Sequence, residues 1–285
     1  MQFDIIASDL GFTEGPAWAP DGTLWCVSIT HASLYHFTPE GEIIERVEVG
    51  GGPNGLVIDA EGAVFIAQNG GVYGGKPGTE PGIQVLRNGE LSYIVRGGEP
   101  DAPNDLCFGP DGRLYFTDPR GDDDPDPEDA STSRPGKLFS CERDGSDLTM
   151  HWEGPVLMNG LAFTAEGDAL LVIQTMTPQP IWRLPFDLEK GLGEPEEFTR
   201  VVDGWPDGMA IDLDGQLWVG TNHDCSVQVF DKHGTFVARH PLPEGTNAAN
   251  VCFGGPNLDV LYVAGSGGGT VLRADAEVSG LPLRG

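Results

Sequence analysis

Hydrophobic and polar residues alternate along short stretches of this chain, and the clearest example covers residues 103–119. In it, Leu114 and Phe116 fall on one face of an extended strand and Tyr115 on the other. A turn at Pro110-Asp111-Gly112 precedes this strand, and its glycine supplies the positive φ that other residues resist. The pattern predicts a β-hairpin: a strand, a tight turn and a returning strand.

The same hairpin pattern recurs along the chain, and a turn glycine marks each copy. These glycines are Gly22, Gly62, Gly112, Gly167 and Gly215, at steps of 40, 50, 55 and 48 residues. A sixth, less regular copy covers residues 247–263. Repeats of roughly 40–50 residues with several short strands are typical of β-propellers, in which each repeat is one blade. We therefore expect residues 1–285 to form one all-β domain, a six-bladed β-propeller with four-stranded antiparallel blades and no substantial helix.

The repeats also predict how the ring closes. The six blades are expected at about 14–49, 53–96, 103–152, 158–201, 206–240 and 247–273. Residues 3–10 read as a further strand before the first repeat. We predict that residues 3–9 form the outer strand of blade six, because they would cover a sheet edge that is otherwise exposed.

One position of each copy is expected to point at the propeller axis. In the first five copies it lies eight residues before the turn glycine, and the sixth copy has Ala249 there. Five of the six carry a side-chain oxygen, and we call them the oxygen column: Glu14, Asn54, Asn104, Asn159 and Asp207. Equivalent positions in a ring of blades converge on one spot.

The oxygen column indicates a metal site. Two carboxylates held close together repel each other, and a divalent cation would balance the charges of Glu14 and Asp207. Donors that offer only oxygen suit calcium, magnesium or manganese. The alternative is that each Asn or Asp caps the turn at which its strand begins, which explains a single position better than five in register.

Composition excludes several classes of partner. The chain has 16 Lys and Arg against 44 Asp and Glu, a formal charge of −28, which argues against binding nucleic acid or an anionic membrane. Its five cysteines form no C-x-x-C pair, so reduced thiols are expected. No stretch has the character of a signal peptide or a membrane span. We expect a cytoplasmic protein that is a monomer or a weak homo-oligomer.

The ends of the second strands are expected to border the oxygen column as well, because each strand returns to the end of the propeller at which its partner began. The candidate substrate-binding residues at these ends and in the column are His31, Asn69, Asn104, Asp118 and His223. The histidines would contact substrate, relay a proton or only line the mouth. Trp205 would form an apolar wall beside Asp207 or pack in the core.

One of these mouth loops is long and acidic. Residues 120–135 include Asp122-Asp123-Asp124 and several prolines, a composition that resists packing. Three interpretations are open: a mobile acidic loop, a lid over the mouth, or a calcium loop, although the ligand spacing of a helix–loop–helix calcium site is absent.

The repeats resemble those of the gluconolactonase and senescence-marker-protein (regucalcin) family of six-bladed propellers, over nearly the whole chain. The matching motifs are Glu14-Gly15-Pro16, Pro103-Asn104-Asp105, Asn159-Gly160-Leu161 and Pro206-Asp207-Gly208-Met209. The resemblance implies one divalent cation, calcium first and otherwise zinc, magnesium or manganese. It places Glu14, Asn159 and Asp207 as metal ligands, with Asn104 contacting the metal or the substrate. Some sugar lactonases of this family have Arg two residues before that Asn, where this chain has Ala102.

Together with the oxygen column, the resemblance implies a hydrolase that opens a lactone, of a sugar or a small hydroxy acid. The cation would polarise the carbonyl and water would attack, with Asp207 as base or, alternatively, as nucleophile, and Asn104 orienting the ring. Three other functions stay open. They are a phosphotriesterase of the diisopropyl-fluorophosphatase kind, a non-catalytic calcium- or protein-binding propeller, and a synthase that works without metal.

Overall fold

The computed structural model describes residues 1–119, 134–155, 157–176, 179–282 and 284. Its strands form six antiparallel sheets, one for each predicted blade. The innermost strand of every sheet contacts the innermost strand of the next, and the sixth contacts the first, so the sheets close into a ring. This confirms the six-bladed propeller. In the described part of the chain, helical structure is limited to a 3-10 turn at Gly267–Gly269.

Blades one to three each contain four consecutive strands, after a first strand β1 (Asp4–Ala7) that belongs to blade six. In chain order the strands are β2 (Thr13–Trp18), β3 (Leu24–Ser28), β4 (Ser33–Phe37), β5 (Ile43–Glu48), β6 (Pro53–Ile58), β7 (Val64–Gln68), β8 (Gly82–Arg87), β9 (Glu90–Arg96), β10 (Leu106–Phe108), β11 (Leu114–Asp118), β12 (Lys137–Cys141) and β13 (Thr149–Glu153).

Blades four to six follow the same plan. Their strands are β14 (Met158–Phe163), β15 (Ala169–Gln174), β16 (Pro180–Asp187), β17 (Gly191–Leu192), β18 (Glu196–Arg200), β19 (Trp205–Ile211), β20 (Leu217–Asn222), β21 (Ser226–Phe230), β22 (Phe236–Pro241), β23 (Ala248–Gly254), β24 (Val260–Gly265) and β25 (Thr270–Asp275).

Blade four has five strands instead of the expected four. The long strand β16 pairs at its start with β18, from Pro180 opposite Arg200 to Arg183 opposite Glu196. Its far end projects beyond β18 and pairs with the two-residue strand β17. The extra strand therefore covers backbone groups that the outer strand does not reach.

The ring closes as predicted. Strand β1 pairs antiparallel with β25, with Asp4 opposite Arg273 and Ile5 opposite Leu272. Blade six thus combines the first strand of the chain with the last three. Strand β1 covers the edge of β25 that would otherwise be exposed.

In the part of the chain that the structure describes, the core consists of six apolar clusters, one between each pair of neighbouring blades. Between blades two and three, for example, Phe65 packs edge-on against Phe108 with ring centroids 5.2 Å apart. Each blade therefore buries both of its faces, which explains why the repeat cannot stand alone. All five cysteines lie in the described part of the chain and are free thiols, as expected. Within the described residues, no helix is long and apolar enough to cross a membrane.

Candidate metal centre

The inner strands present the oxygen column because most of them carry a bulge where the column residues stand. The pairing of β2 with β3 shifts between Glu14 and Ala17, and the other bulged inner strands shift at the equivalent place. A bulge redirects a side chain that a regular strand would point to one face of the sheet. Glu14, Asn159 and Asp207 are buried there, with 4%, 7% and 7% of their surfaces exposed.

Hydrogen bonds between blades hold the column in register. The Gly55 N–H donates to the Asn104 carbonyl at 2.6 Å, and the Thr117 hydroxyl donates to the Asn159 carbonyl at 2.9 Å. The Thr175 hydroxyl donates to the Pro206 carbonyl at 2.7 Å. Each bond ties one blade to the next within one residue of the column.

The two column carboxylates lie within each other's electric field. Burial, followed by the charge of Asp207 and then that of Asp105, raises the pKa of Glu14 well above its usual value. The Gly15 N–H at 2.9 Å and the Asn250 amide oppose this shift. Burial also raises the pKa of Asp207 to about 7, against the hydrogen bond from Asn222. Without a counter-ion, burial therefore makes both acids harder to ionise than exposed carboxyl groups.

The donor set fits a hard divalent cation. Among the described residues, no group of three or more His, Cys, Asp and Glu side chains is arranged to hold a metal ion. The third donor beside Glu14 and Asp207 would therefore be an amide oxygen, and Asn159 supplies one. Two carboxylates and an amide are the ligand types that calcium and magnesium take.

The hydrogen bonds of Asn159 fix which of its atoms is available. Its Nδ2 donates to the Thr175 hydroxyl at 3.0 Å, and that hydroxyl donates its own hydrogen to the Pro206 carbonyl. The hydroxyl can therefore only accept from Asn159, so the nitrogen, not the oxygen, faces Thr175. The Oδ1 atom of Asn159 is left as the donor to a cation.

Replacing Thr175 by Val is expected to weaken the affinity for a divalent ion by about 10-fold or more, because the amide of Asn159 loses its orienting partner. Thr175→Ser keeps the hydroxyl and should retain the wild-type affinity. Calorimetric titration of both variants with calcium or manganese measures the difference. Equal dissociation constants for the Thr175→Val and wild-type proteins would show that the hydroxyl does not orient Asn159.

Asp207 is held by a short chain of side chains. The Asn222 Nδ2 donates to its Oδ2 at 2.6 Å, and the Ser266 hydroxyl donates to the Asn222 Oδ1 at 2.9 Å. Asn222 therefore fixes one carboxylate oxygen of Asp207 and leaves the other for the site.

Asn104 and Asp118 meet at the same edge of blade three. Asn104 is buried, and its backbone pairs with Thr117 and Gly55. Both carboxylate oxygens of Asp118 accept backbone N–H groups, from Asp101 at 2.8 Å and Ala102 at 2.6 Å. Asp118 therefore supports the segment that carries Asn104, and its role in substrate binding stays a prediction.

Asn69 lies at the base of a glycine-rich loop, residues 69–81, that the sequence did not single out. Its Oδ1 accepts the Gly71 N–H at 2.8 Å, whereas its buried Nδ2 has no partner among the described residues. The loop contacts the link between blades one and two, where the Lys76 N–H donates to the Gly51 carbonyl at 2.8 Å. A buried donor without a partner is costly, so this amide is suited to a water or a substrate oxygen.

The two candidate histidines differ in their surroundings. His31 is tied by its Nδ1 to the Tyr35 hydroxyl at 2.8 Å, on the third strand of blade one. His223 is exposed, has a positive φ of 67°, and packs on Trp205 with ring centroids 4.6 Å apart. Trp205 begins the strand that carries Asp207, so this strand connects the His223–Trp205 pair to the candidate metal centre.

Two functional candidates, Asp105 and Asn250, stand outside the oxygen column, and the sequence prediction missed them. They occupy the position that follows it in each blade, here called the second column: Gly15, Gly55, Asp105, Gly160, Gly208 and Asn250. The signal was present in the sequence, as four glycines and two polar residues in register. Asp105 is 8% exposed, and burial raises its pKa to about 6.

A chamber of about 850 Å³ occupies the other half of the propeller axis. Its walls are mainly apolar, and Gly15, Asp105 and Asn250 form its inner end. Within the described residues, no member of the oxygen column lines it. The second column therefore separates this chamber from the candidate metal centre. Most of the acidic loop at 120–135 lies outside the described residues, so its three interpretations stay predictions.

Fold and site together define a six-bladed propeller with a buried set of oxygen donors on its axis. Residues 12–267 match the family model described as "SMP-30/Gluconolactonase/LRE-like region", and the chain belongs to this family. This confirms the resemblance seen in the repeats.

Individual relatives support the same grouping. Pentonolactonase XacC of Haloferax volcanii is 27% identical over 269 residues, which cover 93% of this chain and 84% of that protein. A solved gluconolactonase, XC5397 of Xanthomonas campestris, has a TM-score of 0.78 at 25% identity, over 96% of this chain and 89% of that one. A calcium-binding protein, regucalcin, of Agrobacterium tumefaciens shares the fold, with a TM-score of 0.78 at 20% identity over 98% and 96% of the two chains.

Proposed function

We propose that this protein is a divalent-cation-dependent lactonase whose ion is held by Glu14, Asn159 and Asp207. The observation that carries the proposal is the buried pair of carboxylates beside an amide oriented for metal binding, on the axis of a propeller of the gluconolactonase family. Relatives named as lactonases support the reaction class. Calcium is the first candidate ion, and magnesium, manganese and zinc are the others.

When bound, the cation would act as a Lewis acid on the lactone carbonyl. Asp207 takes a proton from water as the water oxygen bonds to the carbonyl carbon. The ring C–O bond then breaks, and the proton goes to the departing ring oxygen. Asn222 holds Asp207 in the orientation for this transfer, and Asn104 orients the lactone ring by hydrogen bonds. Direct attack by Asp207 is the alternative: its carboxylate would bond to the carbonyl carbon, the ring C–O bond would break, and water would then cleave the resulting anhydride at the Asp207 carbonyl. A single turnover in H₂¹⁸O would then label Asp207 and leave the new product oxygen unlabelled.

A panel of substrates tests the reaction class. We expect the protein to hydrolyse five- and six-membered lactones, and the release of acid measures the rate. Hydrolysis should stop when a chelator is added and return with added calcium or manganese. Turnover of organophosphates but not of lactones would identify a phosphotriesterase instead. Absence of turnover with an ion bound would favour a binding propeller, and turnover unaffected by chelation would contradict the metal dependence.

The charge of the protein predicts which lactones it prefers. A formal charge of −28 disfavours polyanionic substrates, and Ala102 stands where an arginine would bind substrate hydroxyls. We therefore expect neutral or singly charged lactones to be turned over with higher kcat/KM than phosphorylated ones. The comparison is made at low and at moderate salt, since screening should narrow the gap. Faster turnover of the phosphorylated lactone at low salt would contradict this argument.

A further inference from the structure

The second column brings two polar side chains together across the axis. Asp105 belongs to blade three and Asn250 to blade six, which face each other in a ring of six. The other four blades have glycine at this position, and a methyl group added to Gly208 or Gly55 would overlap the side chain of Asn250 or Asp105. The glycines therefore leave the space that these two side chains fill.

Asn250 uses both ends of its amide. Its Oδ1 accepts the Val251 N–H at 2.8 Å, which fixes the rotamer. Its Nδ2 donates to Asp105 Oδ2 at 3.2 Å. Its strand, β23, packs beside β2, and the amide favours the charged form of Glu14 and so lowers the pKa of that carboxyl. An Asn amide has two N–H donors, so one nitrogen can serve both acids.

The chemistry of this position favours an amide over other side chains. A carboxylate here would add another negative charge beside Glu14, Asp105 and Asp207. A lysine or arginine would supply donors, but its charge would compete with a divalent cation for the same carboxylates. An amide donates to two acids and leaves the charge of the site unchanged.

We propose that Asn250 is a positioning residue for Glu14 and that, together with Asp105, it forms the floor that closes the metal centre from the chamber beneath. The inference deepens the proposed function and rests on it, because Glu14 is one of the proposed ligands. Outer-shell hydrogen bonds of this kind are typically worth about 10- to 100-fold in metal affinity.

The test is a double-mutant cycle read by manganese binding, without any lactone. Asn250→Ala should raise the Kd for Mn²⁺, measured by electron paramagnetic resonance, by about 10- to 100-fold. In a Glu14→Ala background the same change should alter the Kd by less than about 3-fold, because the side chain that accepts from Asn250 is gone. An unchanged Kd in Asn250→Ala, or equal effects in both backgrounds, would overturn the proposal.

Two controls separate positioning from loss of fold. The melting temperature of each chelated variant reports on structure alone, and Gly208→Ala displaces the Asn250 side chain without changing its chemistry. Gly208→Ala should therefore also raise the Kd in the wild-type background and have little effect in Asn250→Ala. Wild-type manganese binding in Gly208→Ala would contradict the proposal even if Asn250→Ala failed to fold. Because binding is read directly, a protein that binds manganese but opens no lactone would refute only the proposed function.

Discussion

Asp207→Asn is expected to lower kcat for lactone opening by about 10²- to 10⁴-fold at a saturating concentration of cation, because it removes the proton acceptor. The substitution is nearly isosteric, and its Oδ1 can still accept the bond from Asn222. Metal affinity should also fall, since the compensating charge of the proposed ligands drops from −2 to −1. Assays across a range of cation concentrations separate the two effects.

Asn222→Ala is the matched control for this prediction. It leaves the carboxylate of Asp207 in place but removes the 2.6 Å hydrogen bond that orients it. Its effect should be smaller, in the range of about 10- to 100-fold. An Asp207→Asn protein with nearly full kcat at saturating cation would exclude Asp207 as base and as nucleophile.

The metal-free protein is expected to lose stability as the pH rises from about 4 to about 7. Burial raises the pKa of Asp207 to about 7 and that of Asp105 to about 6, from an ordinary value of 3.8. Between the unfolded and folded pKa values the folded state binds more protons, so each such acid costs about 1.4 kcal/mol of stability for every pH unit crossed in that window. A bound cation replaces those protons and should remove the loss.

Thermal melts with chelator and with calcium at about pH 5.5, inside this window, and at about pH 8, above it, measure the effect. The gain in melting temperature on adding calcium should be larger at the higher pH. General repulsion in a protein of charge −28 also destabilises at high pH, so Asp207→Asn is the control. Its chelated form should show a shallower fall than wild type. The same slope in both proteins would assign the effect to overall charge and not to the site.

The sequence predicted the fold well because the propeller repeats its own pattern. The turn glycines set the blade period, and the strand at residues 3–9 had no other place to pair. The fifth strand of blade four was not predictable, because it depends on how far β16 extends past its outer partner, and no local residue signals that length.

The site was predicted in part. Counting back eight residues from each turn glycine found the oxygen column, since equivalent strand positions share one direction. The same count did not reveal that Asn222 and Thr175 serve Asp207 and Asn159, because those hydrogen bonds join side chains from different strands. The count also did not indicate Asp105 and Asn250, although the equivalent position in each of the other four blades holds glycine. Glycine there indicates a close approach, and that approach is visible only once the ring is closed.

Anomalous scattering from manganese-soaked crystals is the most direct test of the central claim, that the oxygen column holds a divalent ion on the propeller axis. We expect one strong anomalous peak within about 2.0–2.6 Å of oxygens of Glu14, Asn159 and Asp207. This peak should be lost in Glu14→Gln crystals at the same manganese concentration. A peak in the chamber on the far side of Asp105 and Asn250, or a peak unaffected by Glu14→Gln, would contradict it.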